Sequence, residues 1–384
     1  MSELPAGWQL KRVDELCRVT RGASPRPIHE WVSTFGTPWI KISDATADPS
    51  KYITKTKEFI RNEGRSKSVV VYPGDLILSN SATPGIPKFL GIEACIHDGW
   101  LLLRDLHDIE PMYFYYVFLN DRKDLAGQGN GSIFTNLKTE IVKRHRLSVP
   151  PMPEQRAIAE VLGALDDKIA ANTKLAETAA GLAIQSVAPF RGDTAPLWDF
   201  VTHRKITVDP ASAASNTVAH YSLPAFDVDG SPEMTSPATI KSSKFSVEVP
   251  SVLISKLNPR FPRVWDIQEL TEFPALASTE FLVLEPREPI STSVLWAVLS
   301  QSDFGLRLES KVAGTSGSHQ RVKPSDLLAT EVVDPTRITG AVQRQITALG
   351  KSISSLQQEN RTLAATRDML LPQLMSGKLR VGDI

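Results

Sequence analysis

Ile346, Leu349, Ile353, Leu356, Asn360 and Leu363 follow one another at steps of 3, 4, 3, 4 and 3 residues, the a/d spacing of an apolar seam along one face of a helix. A second run carries the same seam: Ile158, Val161 or Leu162, Leu165, Ile169, Asn172 and Leu175. Each run opens beside proline, at Pro150-Pro151-Met152-Pro153-Glu154 and at Asp334-Pro335-Thr336. Proline presets a first helical turn, and Glu154 there suits the positive end of the helix dipole. The spacing therefore predicts two long helices. The first, Glu154 to Val187, would be about 50 Å long at about 1.5 Å per residue. An apolar seam needs cover, which is either the other seam or the helix's own globular neighbour. The Asn on each seam is the kind of buried polar group that fixes register between paired helices.

The match between the seams extends into a duplication. Gln155-Arg156-Ala157-Ile158 returns as Gln343-Arg344-Gln345-Ile346, and the same interval pairs Leu165 with Ile353, Asn172 with Asn360, and Leu175 with Leu363. Upstream, Pro73-Gly74-Asp75-Leu76-Ile77-Leu78-Ser79 is echoed by Pro250-Ser251-Val252-Leu253-Ile254-Ser255. Four segments follow: 1–150 and 191–338, each a mixed α/β (α+β) domain, alternate with helical segments 151–190 and 339–384. The segments 1–150 and 191–338 show short β-rich runs such as Trp39-Ile40-Lys41-Ile42 and Phe281-Leu282-Val283-Leu284 between Gly, Pro, Ser and Asn clusters. Amphipathic helices are expected at Met112 to Asp121 and Ser293 to Gln301. The expected architecture is two similar domains joined by two long antiparallel coiled-coil helices, a pseudo-twofold repeat.

Composition narrows the class. With 384 residues, 41% hydrophobic and 22% charged, the chain reads as globular with more than one core. The apolar run Tyr113 to Leu119 falls far short of the roughly 20 residues of a membrane span. The first five residues lack the basic-then-apolar order of a signal peptide, so a cytoplasmic protein without membrane association is expected. Two cysteines, Cys17 and Cys95, exclude a disulfide scaffold and a cysteine-built metal site. Basic and acidic residues balance at 43 each, so any attraction to phosphate must come from local patches or a partner.

Pro150-Pro151-Met152-Pro153-Glu154-Gln155-Arg156-Ala157-Ile158 resembles the central region of type I restriction–modification specificity (HsdS) subunits. Arg367-Asp368-Met369-Leu370-Leu371-Pro372-Gln373-Leu374-Met375-Ser376-Gly377-Lys378-Leu379 is similar to that family's C-terminal ending. Arg21-Gly22-Ala23-Ser24-Pro25, Pro38-Trp39-Ile40-Lys41-Ile42-Ser43-Asp44 and Pro73 to Ser79 are further echoes of its recognition domains, whereas the second domain lacks a clean Gly-x-Ser-Pro start. The resemblance implies a non-catalytic reader of double-stranded DNA, with one target-recognition domain per half of a split, asymmetric site. It implies as partners two methyltransferase subunits that use S-adenosylmethionine, and restriction/translocase subunits that use ATP with Mg. No cofactor or metal is expected on this chain. A protein-interaction scaffold, two binding domains on a helical rod, is the alternative.

Catalytic motifs are not found. Gly377-Lys378 lacks the upstream glycine of a P-loop, Arg260 interrupts the methyltransferase-like Asn258-Pro259-Arg260-Phe261, and the seven histidines have no ligand spacing. Base reading instead needs forked or planar donors and acceptors on loops that enter a groove. The first domain offers Arg21, Ser24 and Arg26, then Lys41, Ser43 and Asp44, then Ser79, Asn80, Ser81, Thr83 and Lys88. Its last loop adds Gln128, Asn130, Ser132, Thr135, Asn136 and Lys138. The second domain offers Lys256, Asn258, Arg260 and Arg263, then Ser316, Ser318, His319, Gln320, Arg321 and Lys323. Gly, Ser, Asn and Pro form turns whatever they touch, so it is the matched placement in both copies that singles out these loops.

Overall fold

The computed structural model describes residues 4–47, 50–127, 136–260, 262–311 and 320–383. The chain forms two compact units, Met1–Ala170 with Arg361–Ile384, and Ala171–Asn360.

In the first unit the central sheet has the strand order Arg18–Arg21, Trp100–Arg104, Leu76–Ser79, Pro87–Leu90, Tyr52–Ile53. Its central strands Leu76–Ser79 and Trp100–Arg104 are apolar on consecutive positions because both faces are covered. Leu76, Leu78, Leu101 and Leu103 point into a core with the helix Pro111–Gly127 and with Ile158 and Leu162. Ile77, Trp100 and Leu102 point the other way, onto Ile40, Val71 and Ile96. Those three belong to a second sheet, ordered Val32–Ser33, Glu58–Ile60, Thr37–Ile40, Ala94–Ile96, Val69–Val71, in which Thr37–Ile40 and Ala94–Ile96 run parallel. The helix expected at Met112 to Asp121 is Pro111–Gly127, and Tyr113 to Phe118 are all buried.

The second unit repeats the core of this topology, with a four-stranded central sheet and its extra edge strand on the other side of the second sheet. Its central sheet runs Val201–Arg204, Phe281–Pro286, Ser251–Ser255, Val264–Ile267. Val252, Ile254, Leu282 and Leu284 face a helical core, while Leu253, Phe281 and Val283 face the other sheet. That sheet is ordered Thr207–Val208, Lys244–Val247, Ala275–Ala277, Val218–Tyr221, Glu233–Thr235, and again holds one parallel pair, Val218–Tyr221 with Ala275–Ala277. The echo between Pro73–Ser79 and Pro250–Ser255 is therefore one strand occurring twice, Leu76–Ser79 and Ser251–Ser255. In each unit a two-stranded pair ties the ends of the α/β segment, Gln9–Arg12 with Arg146–Val149 and Thr194–Pro196 with Glu331–Val333.

The two long helices are Met152–Gln185 and Gly340–Met375, and each contributes to both units. They run antiparallel. In the first unit Arg367 Nη1 donates to Asp166 Oδ1 at 2.7 Å, and Arg380, just past the second helix, reaches Glu154 at 2.7 Å. In the second, Asn172 Nδ2 donates to Glu359 at 2.9 Å and Asn360 Nδ2 to Thr173 Oγ1 at 3.1 Å. The two seam asparagines thus bond across the helix pair, each to a polar residue beside the other. Ile158 and Ile346 are buried in the globular cores with Leu162 and Leu349 packed alongside, whereas Leu165, Ile169, Ile353, Leu356 and Leu363 are half-buried. Both covers considered for the seam are used, the globular cores at its ends and the opposite helix midway.

Leu175 departs from the seam, with 57% of its surface exposed. The buried face passes from Asn172 to the half-buried Ala176 and on to Ala179 and Ala183. A straight helix turns every 3.6 residues and drifts off a strict heptad, and here the drift carries position 175 to the outer side.

Candidate nucleic-acid interface

Three loops of the first unit meet at one end of the central sheet, held by backbone bonds. Ser79 N–H donates to Ile86 O at 3.0 Å, closing a hairpin tip at 80–85. Asn80 N–H donates to Gly99 O at 2.8 Å, and Leu137 N–H donates back to Asn80 O at 2.7 Å. Lys138 follows immediately, exposed, as the residue capping the short helix Thr139–Arg144. The loop after Arg21 joins through Gly22 N–H to Trp100 O at 2.8 Å. A Cβ on Gly22 would lie 2.9 Å from the His97 carbonyl carbon, so only glycine allows this approach.

The second unit builds the same frame from different residues. Ser255 N–H donates to Arg263 O at 3.0 Å, Lys256 N–H to Glu280 O at 2.9 Å, and Val322 N–H to Lys256 O at 3.0 Å. Lys323 then caps the helix Pro324–Leu328, exposed, as Lys138 does in the first unit. Asn258, at φ +51°, donates its N–H to Gln320 O at 2.9 Å. The frame thus equates Asn80 with Lys256, Gly99 with Glu280, and Lys138 with Lys323.

Side chains divide into those that face outward and those used inside. Arg21, Arg26, Ser43, Asn136, Lys138, Arg260, Arg321 and Lys323 are exposed, and Ser24, Lys41, Ser81, Thr83, Lys256, Asn258, Arg263 and Gln320 are half-buried. Four expected contacts are corrected. Ser79 is fully buried, its hydroxyl donating to Thr83 O and accepting from Ile86 N–H. Lys88 is buried and donates its ammonium to Ser50 O. Asp44 is buried against Lys41 N–H, Lys57 N–H and the Thr56 hydroxyl. Asn80 is 5% exposed and donates Nδ2 to Asp98 O. In each case a polar side chain chosen for reaching outward instead satisfies buried backbone, which an isolated loop sequence does not reveal. Gln128, Asn130, Ser132, Thr135, Ser316, Ser318 and His319 lie outside the described residues.

Three of these cations, the exposed Arg321 and the half-buried Arg263 and Lys41, are restrained by acids. Arg263 forks onto Asp227 at 2.6 and 2.9 Å, Arg321 donates to Glu280 at 2.7 Å, and Lys41 to Glu58 at 2.5 Å. Burial pulls the Lys256 ammonium below its usual range, Glu280 opposes this, and Arg321 and Lys205 add to it. His97 lies edge-on to Trp39, with ring centroids 5.9 Å apart, and burial lowers its pKa. Among the described residues no group of His, Cys, Asp or Glu could hold a metal ion, and no helix is long and apolar enough to cross a membrane.

Residues 5–179 match the family described as the type I restriction modification DNA specificity domain. The MjaIX specificity subunit of Methanocaldococcus jannaschii is 24% identical over 192 residues, which cover 48% of this chain and 44% of that subunit. The MjaVIII specificity subunit of the same organism is 21% identical over 45% of this chain and 39% of its own length. The matched stretch is therefore less than half of either relative. A crystal structure of a type I restriction–modification S subunit from M. genitalium superposes with a TM-score of 0.60 over 96% of both chains at 13% identity, a likeness of fold. By sequence, residues 5–179 are similar to that specificity-domain family, and the whole chain shares its fold with the M. genitalium S subunit.

Strand register exposes one cation that the sequence reading missed. Leu102 pairs with Thr20 and Ile77, and Val283 pairs with Arg204 and Leu253. The residue after Arg204, Lys205, thus holds the place of Arg21. The run His203-Arg204-Lys205 was its signal, hidden because the second domain lacks the Gly-x-Ser-Pro start. The acids Asp98, Asp227 and Glu280 were missed for a different reason, since a search for groups that attract DNA passes over the groups that position them.

Proposed function

We propose that the chain is the DNA specificity subunit of a type I restriction–modification complex and reads a bipartite, asymmetric site. Residues 1–150 and 191–338 act as the target-recognition domains, one per block, and 151–190 and 339–384 as the helical segments that gather the other subunits. The observation that carries this reading is the loop frame built twice, each copy presenting cations from the same backbone positions. Arg21 and Lys205, and Lys138 and Lys323, are paired by it. Exposed lysines and arginines supply phosphate attraction and register, while half-buried Asn258, Gln320 and Ser24 stand on rigid backbone from which base edges are distinguished by hydrogen bonds.

The work of such a chain is discrimination by binding. Bond-making falls to two methyltransferase subunits, which bring S-adenosylmethionine, and to restriction subunits driven by ATP with Mg, all acting in the cytoplasm. The test is genome-wide adenine-methylation mapping after co-expression with the neighbouring methyltransferase subunit. A split motif of two short blocks around a fixed gap, lost when this chain is omitted, is expected. Methylation that persists unchanged without the chain would overturn the proposal.

A further inference from the structure

Four residues of the first loop cluster converge on one residue that is not itself attractive to DNA, two on its carboxylate and two on its carbonyl. Ser24 Oγ donates to Asp98 Oδ1 at 2.6 Å, and Arg26 Nη2 approaches Asp98 Oδ2 at 3.5 Å. The Asp98 carbonyl accepts from Arg21 Nε at 2.9 Å and from Asn80 Nδ2 at 3.1 Å. Asp98 precedes Gly99, whose carbonyl holds the hairpin tip through Asn80 N–H. The Ser24 hydroxyl, with smaller help from His97 and Arg26, holds the Asp98 carboxyl below the usual carboxylate range. The carboxylate is therefore committed as an acceptor within the protein.

We propose that Asp98 is a positioning residue for reading the first block of the site, an inference that rests on the function proposed above. Asp98 joins the loop after strand Arg18–Arg21 to the hairpin tip after Leu76–Ser79. The carboxylate keeps Ser24, and with it the loop after Arg21, in one arrangement before DNA arrives, while the carbonyl holds Arg21 and Asn80, and ordering cost is removed from the binding step. The short, well-formed Ser24 bond does this. The Arg26 contact is long, and both of its side chains are exposed (73% and 42%), so it adds little.

The test maps methylated motifs, and compares cognate with single-mismatch binding, for the full complex carrying Asp98→Ala or Asp98→Asn. Asp98→Asn keeps an oxygen to accept from Ser24 but loses the charge. The expected result for Asp98→Ala is relaxed reading at several positions of the first block, with roughly a tenfold loss of discrimination and the second block as sharp as in the unaltered complex. Asp98→Asn is expected to restore most of it. A first block unchanged by Asp98→Ala overturns the inference. So does relaxation confined to one base position, which would make Asp98 a direct acceptor for cytosine. So does Asp98→Asn behaving like Asp98→Ala, which would make the charge the active property. The second block is the internal control: no split motif in the unaltered complex would sink the function itself, whereas a split motif indifferent to Asp98 would sink this inference alone.

Discussion

Gly181 and Gly350 lie in the interiors of the two long helices, both within the second unit, and alanine at these two positions should act in opposite directions. A Cβ on Gly181 meets nothing within 4 Å. A Cβ on Gly350 would overlap Ser293 Oγ and lie 2.7 Å from Ser293 Cβ and 3.2 Å from Gln268 Nε2. Ser293 cannot swing aside, since it is 1% exposed and its hydroxyl donates to Asp266 at 2.6 Å. Helix propensity favours alanine over glycine by about 1 kcal/mol at either position. At Gly181 that gain acts alone, so Gly181→Ala should stabilise the unit by about 0.5–1 kcal/mol. At Gly350 it is set against about 1–3 kcal/mol of overpacking, so Gly350→Ala should fall about 1–3 kcal/mol below Gly181→Ala. Urea unfolding of the full chain followed by circular dichroism gives the ranking, and hydrogen exchange in strand Ser251–Ser255 localises it to this unit. Equal stability of the two variants would refute the close approach of Gly350 to Ser293.

Three further outcomes follow from the same packing and charges. Burial raises the Asp266 pKa above its usual 3.8, so folding binds a proton and stability falls as pH rises from that value to the folded pKa. Asp266→Asn should match the unaltered chain in acid, exceed it at neutral pH and lose this slope, as read by thermal melts across pH. Lys138→Ala and Lys323→Ala, combined in the assembled complex, should weaken binding to all DNA sequences alike. They should also shallow the dependence of log affinity on log salt by about 0.9 for each phosphate no longer neutralised. Leu162→Ala should cost about 2–5 kcal/mol because Leu162 is fully buried, whereas Leu175→Ala should leave the unfolding midpoint in place.

Much of the architecture was legible because it is carried by period and repetition. The 3–4 steps from Ile346 to Leu363 place the second helix without help from tertiary structure, and the recurrence of Gln-Arg and Asn at one interval reveals the duplication. Leu175 was misplaced because a heptad written on paper does not drift, while a straight helix does. The loop cluster was legible as a location and less so residue by residue. Composition marks Ser79 and Lys88 as turn and groove residues, but their partners, Thr83 O with Ile86 N–H and Ser50 O, are supplied only by folding. Lys205 and Asp98 needed strand register to be seen, because each acquires its role from a residue distant in sequence.

The first unit is discontinuous: Met1–Ala170 is completed by Arg361–Ile384, with Leu371, Leu374 and Met375 buried in its core. A ribosome makes all of Ala171–Asn360 before that last piece exists. At roughly 5–20 residues per second, the nascent first unit waits on the order of 10–40 seconds with the groove around Ile158 and Leu162 uncovered, while the second unit receives its whole sequence without a break. The order of completion is thus inverted with respect to the order of synthesis, and the unit begun first is the one exposed to misassociation and to chaperones.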